Sequence, residues 1–282
     1  MRKVKATIND LHAGNKLALM NPDVTLYEEG PDGHEKPYHP QPTESQEYLW
    51  DLYTGHIAES VRYADGCDLL LLANGDITQG VKHLGHWVSN RISDQVVIAV
   101  ANLQPWFAYP QLKQVRISIG TAAHNFGIGA AEQLVAQILQ AQYPAVDIKV
   151  VSHGFLTYGG VTFDYAHHGP GKGLRNWLYG NMARFYLRDL MDRDIKARRV
   201  PPRVVERAHA HVRVHEYLEN SDYVSDLFVV PSYCMLDDYA VQVTKSIEGL
   251  THGMLLHEVE DGRHAWQWLT KTIDVRAREE IA

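Results

Sequence analysis

The sequence predicts an α/β fold. Strand-like and helix-like segments alternate from the N-terminus to about residue 198, and the last third reads as a series of strands. No linker, internal repeat or low-complexity tract interrupts the chain, so one domain over 1–282 built on two sheets is the simplest architecture.

Lys3–Ile8 alternates polar and apolar residues as a strand does, and it runs straight into Asp10-Leu11-His12. Residues 21–43 hold five prolines and no periodicity, which reads as a loop beside the active site. Helix-like sequence covers 44–62. The apolar run 68–73 is what a strand buried on both faces shows, and it stops at Asn74-Gly75-Asp76. A helix over 88–109 is followed by a strand over 114–119 that leads into Gly120-Thr-Ala-Ala-His124-Asn125, then by the helix Ala130–Gln142. Strands at 148–151 and Val161–Ala166 come next. His167-His168-Gly169 follows, then a long amphipathic helix over 176–198 whose charges read as a solvated face. A short strand at 203–206 precedes His209-Ala210-His211. Strands follow at 212–218, 227–230, 254–259 and 266–273, with Asp261-Gly262 as the hairpin turn between the last two.

Composition narrows the function. With 45% hydrophobic and 22% charged residues, 21 Gly and 12 Pro, the chain is globular rather than disordered, collagenous or a disulfide scaffold. Its 27 basic and 34 acidic residues give a net charge of -7, so no global positive field holds a duplex or an anionic membrane. Cys67 and Cys234 form no CxxC pair and are too few for a metal-thiolate cluster or a disulfide framework. A reducing, cytoplasmic compartment is expected. The N-terminus lacks an apolar leader and no run of about 18 apolar residues occurs, so a soluble chain without a membrane partner is expected.

Histidine, 16 in all, is the unusual count, and the residues cluster where strands end. Imidazole is the commonest transition-metal ligand. Asp10 and His12 are two residues apart, as are His209 and His211, and an i, i+2 pair in extended chain points to one side. In open α/β sheets ligands bind beyond the carboxyl ends of the strands, where these motifs converge. Mixed Asp and His ligands without thiolates suit Mn, Fe or Zn, and two metals are the natural reading.

Asp10-x-His12, Gly75-Asp76, Gly120 to His124, His168-Gly169 and Ala208-His209-x-His211 resemble, in order, the motifs of the calcineurin-like metallophosphoesterases. The match spans roughly residues 7 to 215, and its details look most like the phage and prophage members. The resemblance implies a four-layer αββα sandwich of two mixed sheets flanked by helices, with two divalent transition-metal ions (Mn, Fe, Zn or Ni). Asp10, His12, Asp76 and His211 would hold the first ion. Asp76 would bridge to a second, held also by His168, His209 and a residue of the third motif. His168 is preferred to His167 because it directly precedes Gly169, which leaves His167 to support it or to touch substrate. The implied reaction is phosphoester hydrolysis by a metal-bridging hydroxide without a covalent intermediate.

Two positions depart from the family pattern. Thr121 stands where a metal-binding Asn is usual, which leaves His124 either as a ligand or as the proton donor to the leaving group. Ala208 replaces a glycine, a change without consequence if the backbone there is ordinary for an L-residue. Asn125, Lys172 and Arg175 are candidate substrate contacts; Gly169-Pro-Gly-Lys172-Gly is no P-loop, because no Ser or Thr follows the Lys. The basic stretch 196–203 reads as a solvated helix end, and the glycines near 127 as a helix start.

The expected activity is hydrolysis of a small-molecule phosphodiester. A phosphomonoesterase or a nuclease acting on single strands or ends is the alternative, disfavoured for nucleic acid by the net charge. A noncatalytic interaction protein is the alternative from another class, and it should have lost ligands. The 21–43 loop is expected to shape specificity or to contact a second copy in a homo-oligomer.

Overall fold

The computed structural model describes residues 1–282 except 83, 90, 128, 171–178, 221, 237–248 and 277–282. Its elements run β1 (Lys3–Ile8), β2 (Leu26–Glu29), β3 (Glu35–Tyr38), α1 (Glu44–Ala64), β4 (Leu69–Ala73), α2 (Ile92–Leu103), β5 (Leu112–Ser118) and α3 (Ala130–Gln142). There follow β6 (Asp147–Val151), β7 (His153–Tyr158), β8 (Val161–Ala166), α4 (Tyr179–Lys196), β9 (Val204–Arg207), β10 (Val214–Asn220), β11 (Tyr223–Val229), β12 (Gly249–Glu260) and β13 (Arg263–Asp274).

One sheet has the order β13-β12-β1-β4-β5-β6 and the other β10-β11-β9-β8-β7. β1, β4, β5 and β6 are mutually parallel, with β12 antiparallel to β1. In the second sheet β9 runs parallel to β8 and to β11. The layers follow from strand alternation. Leu69, Leu71 and Ala73 of β4 face a core shared with α1, α2 and α3, whereas Leu70 and Leu72 face Phe163, Tyr165, Val204 and Phe228 of the second sheet. Val205 and Leu227 point the other way, onto Ala183, Leu187 and Met191 of α4. Helices, sheet, sheet, helix: this mixed α/β arrangement is the expected four-layer sandwich.

The layer between the sheets also holds charge. Lys5 Nζ donates to Thr7 Oγ1 at 2.7 Å and to Glu206, which accepts from Thr7 Oγ1 at 2.6 Å and lies 3.0 Å from His257 Nε2. All four residues are fully buried. The cluster ties β1 to β9 just before the chain reaches Asp10 and His209.

Local chemistry sets the element ends. Thr43 caps α1 with a capping box to Gln46, and Asp65 closes it in the left-handed region. Asp261 and Gly262, both at positive φ, make the β12–β13 turn. Three expectations shift. The 21–43 loop contains the β2–β3 hairpin, turned by the Gly30 and Gly33 hydrogen bonds. α2 begins at Ile92, because Val88 N is drawn to Gly14 O at 2.8 Å; past Leu103 the chain tightens into a 3-10 turn containing Pro105. β7 pairs with β8 where no strand was expected. Among the described residues no helix is long and apolar enough to cross a membrane.

Candidate metal centre

The motif residues leave the carboxyl ends of β1, β4, β5, β8 and β9 and meet between the two sheets. Backbone bonds stitch their loops together: Asp10 N donates to Gly75 O at 3.1 Å, His12 N to Asp76 O at 3.0 Å and Ala208 N to His167 O at 3.0 Å. Asp10, His12, Asp76, His209 and His211 all take positive φ, between 43° and 69°. They make up five of the eight described non-glycine residues in that region, and such conformations gather at functional sites, where the surroundings enforce them. Ala208 is not among them, so its Cβ costs nothing. Gly75 and Gly120 are demanded by close approach. A Cβ at Gly75 falls inside 3.0 Å of the His167 ring, and one at Gly120 inside 3.0 Å of Asp76 Oδ1 and backbone N.

Ligand atoms gather in three groups, each within 4.8 Å: Asp10, Asp76, His167 and His209; His12, Asp76 and His124; and His12, His211 and Cys234. Asp76 belongs to two of them, as a bridging ligand would. His167 Nε2 lies 2.9 Å from Asp76 Oδ2 and 3.8 Å from Asp10 Oδ1, while His211 Nε2 lies 3.3 Å from Asp10 Oδ1 and 3.2 Å from His12 Nε2. His209 reaches 3.9 Å from Asp76 with half its side chain exposed. Asp10 Oδ1 and His12 Nδ1 are buried and make no hydrogen bond. Orphaned buried donors and acceptors are costly, and a bound cation resolves them. The residues present therefore fit divalent ions.

Electrostatics readies the two carboxylates and His12 for ligation, whereas His167 would have to give up a proton. Burial pushes Asp10 and Asp76 up, but the imidazoles around them, His211 and His167 at Asp10 and His167 and His209 at Asp76, hold both carboxyls below the usual range. Burial, then His124 and His211, pushes His12 well down. At His167 burial opposes the charge, yet Asp10 and Asp76 hold the ring up to about 9 in the absence of a cation.

The structure brings together all the expected ligands except one. His168, expected to bind the second ion, is exposed, and its buried neighbour His167 sits in the group instead. Val161, Phe163, Tyr165 and His167 are buried in alternation, so His167 continues the inward face of β8. That period was the signal that could have chosen between them. Asn125, expected to touch substrate, is buried and engaged: its Nδ2 donates to Glu132 Oε2, and its Oδ1 accepts from Phe126 N at 3.0 Å and Ala131 N at 3.1 Å. Lys172 and Arg175 lie outside the described residues.

Several contributors lie outside the expected ligand set. Thr121, at the place of the usual Asn, donates its backbone N–H to Asp76 Oδ1 and sets its Oγ1 3.1 Å from both carboxylate oxygens. Asn9 Nδ2 donates to Asp10. Fully buried Glu132 accepts from Gly120 N at 3.0 Å and from Asn125, bracketing the His124 loop at both ends. His124 Nδ1 donates to Gln79 O at 2.8 Å.

No family model matches the chain, and no curated protein does. Among solved structures it is similar to an archaeal phosphodiesterase at 9% identity and TM-score 0.43, over 94% of this chain and 99% of that one. It is similar also to a single mutant of Vps29 from Entamoeba histolytica, at 12% identity and TM-score 0.36, over 97% of this chain and 99% of that one. A metallophosphoesterase from Sphaerobacter thermophilus aligns at 11% identity and TM-score 0.31, over 95% and 88% of the two chains.

Proposed function

We propose that this chain is a calcineurin-like metallophosphoesterase that binds two divalent transition-metal ions and hydrolyses small-molecule phosphodiesters. The observation that carries the reading is the convergence of Asp10, His12, Asp76, His124, His167, His209 and His211, from five strand ends, into groups of which two share Asp76 and two share His12. Divalent ions held there supply Lewis-acid activation of water and neutralise charge developing on a phosphate.

The chain's own residues have separable tasks. Asp76 is the shared ligand, oriented by Thr121 and flanked by His167. Asp10 is fixed through Oδ2, which accepts from Asn9 and from His209 N at 3.0 Å, leaving Oδ1 for an ion. His124, anchored through Nδ1 to Gln79 O, is kept beside His12 and Asp76 as either a ligand or the proton donor to the leaving group. His209 and His168 lie on the exposed side, where His168 would meet substrate rather than metal. Asp10, His12, Asp76, His209 and His211 are all present, which weighs against a noncatalytic scaffold, although Thr121 stands in place of the usual Asn ligand. The net charge of -7 favours a small substrate over a nucleic acid, and mixed N and O ligands accommodate Mn, Fe, Zn or Ni.

The test is hydrolysis of bis(p-nitrophenyl) phosphate beside p-nitrophenyl phosphate. Protein stripped by chelator is reloaded with Mn, Zn, Ni or Mg, with Asp76→Asn in parallel. Metal-restored turnover that prefers the diester and is lost in Asp76→Asn is expected. Faster monoester cleavage would reverse the substrate class, and stoichiometric metal binding without turnover of any phosphoester would favour the scaffold.

A further inference from the structure

The two cysteines belong to no motif, and the sequence reading expects a site free of sulfur. The fold brings one of them to the metal centre. We propose that the Cys234 sulfur is a metal ligand, completing a His12–His211–Cys234 group beside Asp10; this rests on the metal-site reading above.

Three observations carry it. The ligand atoms of His12, His211 and Cys234 all lie within 4.8 Å of one another. Asp10 Oδ1, fully buried and without a hydrogen bond, is aimed into the same group, 3.3 Å from His211 Nε2 and 3.7 Å from His12 Nε2. The two imidazole Nε2 atoms face each other at 3.2 Å, an arrangement that a cation between them satisfies. Cys234 is also held in place. Met235 N donates to Leu17 O at 2.8 Å, Cys234 bridges to Ala18, and Ser232 Oγ donates to the Cys234 carbonyl at 3.3 Å. At 7% exposure the thiol sits against the site rather than in solvent.

Without metal the S–H donates to Met235 O at 3.2 Å; on ligation that proton leaves to solvent and the sulfur binds the cation. A soft donor changes selectivity. Thiolate favours Zn, Co and Cd over Mn and Mg, so this group would be the thiophilic half of the centre, while Asp10, Asp76, His167 and His209 remain a nitrogen and oxygen site.

The experiment is cobalt titration of chelator-stripped protein, following the visible d–d bands and the near-ultraviolet sulfur-to-cobalt charge-transfer band. Wild type, Cys234→Ser and Cys67→Ser are compared. Wild type and Cys67→Ser should show both signals, and Cys234→Ser should bind cobalt without the sulfur band. In competition, the ratio of Cd to Mn affinity should fall by about tenfold or more in Cys234→Ser, the size expected when the surroundings of a bound metal change. Because the chain has two cysteines, a sulfur band in Cys67→Ser assigns the ligand even if Cys234→Ser fails to fold. Cobalt d–d bands in wild type without a sulfur band would overturn the proposal and leave the metal centre standing. A sulfur band that vanishes in Cys67→Ser would overturn it as well. Absence of cobalt uptake would defeat the metal reading itself and this inference with it.

Discussion

Gly120→Ala tests whether the third motif is there to make room for Asp76. An ideal Cβ on Gly120 lies closer than the 3.0 Å that real Cβ atoms keep from Asp76 Oδ1, from its backbone N and, at 2.9 Å, from its Cα. A rotamer change relieves only the first of these. The backbone of Asp76 is itself held, since its carbonyl accepts from His12 N at 3.0 Å. Either the His124 loop or the Asp76 turn must therefore move. Forcing a methyl into a packed interior costs about 1–3 kcal/mol, which for a chain of this size lowers the melting midpoint by roughly 2–5 °C. The functional loss should be larger than the stability loss, because the shift falls on the shared carboxylate. Disturbing what orients a ligand typically costs about 10–100-fold in metal affinity or activity. Metal affinity by calorimetry, turnover and the thermal midpoint are measured on Gly120→Ala beside Gly85→Ala, whose Cβ meets nothing within 4 Å. If Gly120→Ala binds metal and turns over like wild type, the packing account of this site is refuted.

The other expected outcomes follow from burial and caps. Gly55→Ala, in the middle of α1 with open space around its Cβ, should raise stability by about 0.5–1 kcal/mol in a urea melt; destabilisation would contradict the geometry. Glu132→Gln keeps the shape but can accept from only one of Gly120 N and Asn125 Nδ2, so it should lose about 1–3 kcal/mol and loosen the loop, with hydrogen exchange at Gly120 as the readout. Lys5→Met leaves Glu206 buried without its cation and should destabilise by about 3–5 kcal/mol in the same melt. Acid should unfold the metal-free protein early. Burial lowers His56 to about 4 and His264, further depressed by His257, to about 3. Below the ordinary 6.5 the unfolded chain takes up these protons while the folded one does not. Stability therefore falls with pH from about 6.5 down to those values, by up to about 3 kcal/mol for His56, and His56→Gln should flatten that part of the curve.

What the sequence discloses is what one segment specifies by itself. Asp10, His12, Asp76, His209 and His211 were legible because each pair stands at the end of a strand whose own alternation marks it, and their positive φ values are paid for by the turn they sit in. The α/β alternation, the buried β4 run and the Asp261-Gly262 turn were legible for the same reason. The β2–β3 hairpin was not, because prolines at 31 and 37 hide its pairing, and β7 was not, because its pairing with β8 is set by tertiary contact. Thr121 and Cys234 come to the site across long sequence distances: Thr121 reaches Asp76, and Cys234 lies beside His12 and His211. The exchange of His168 for His167 is the instructive middle case. Motif spelling pointed to the histidine beside Gly169, whereas the two-residue period of β8 pointed to the one before it. In the fold the period prevails, because burying the inward face of β8 is worth several large side chains, and a histidine one step out of register would face solvent. Where a motif's spelling and a strand's period disagree, the period decides which side chain can reach the centre, and metal-binding loss in His167→Ala but not His168→Ala is the measurement that makes that rule answerable here.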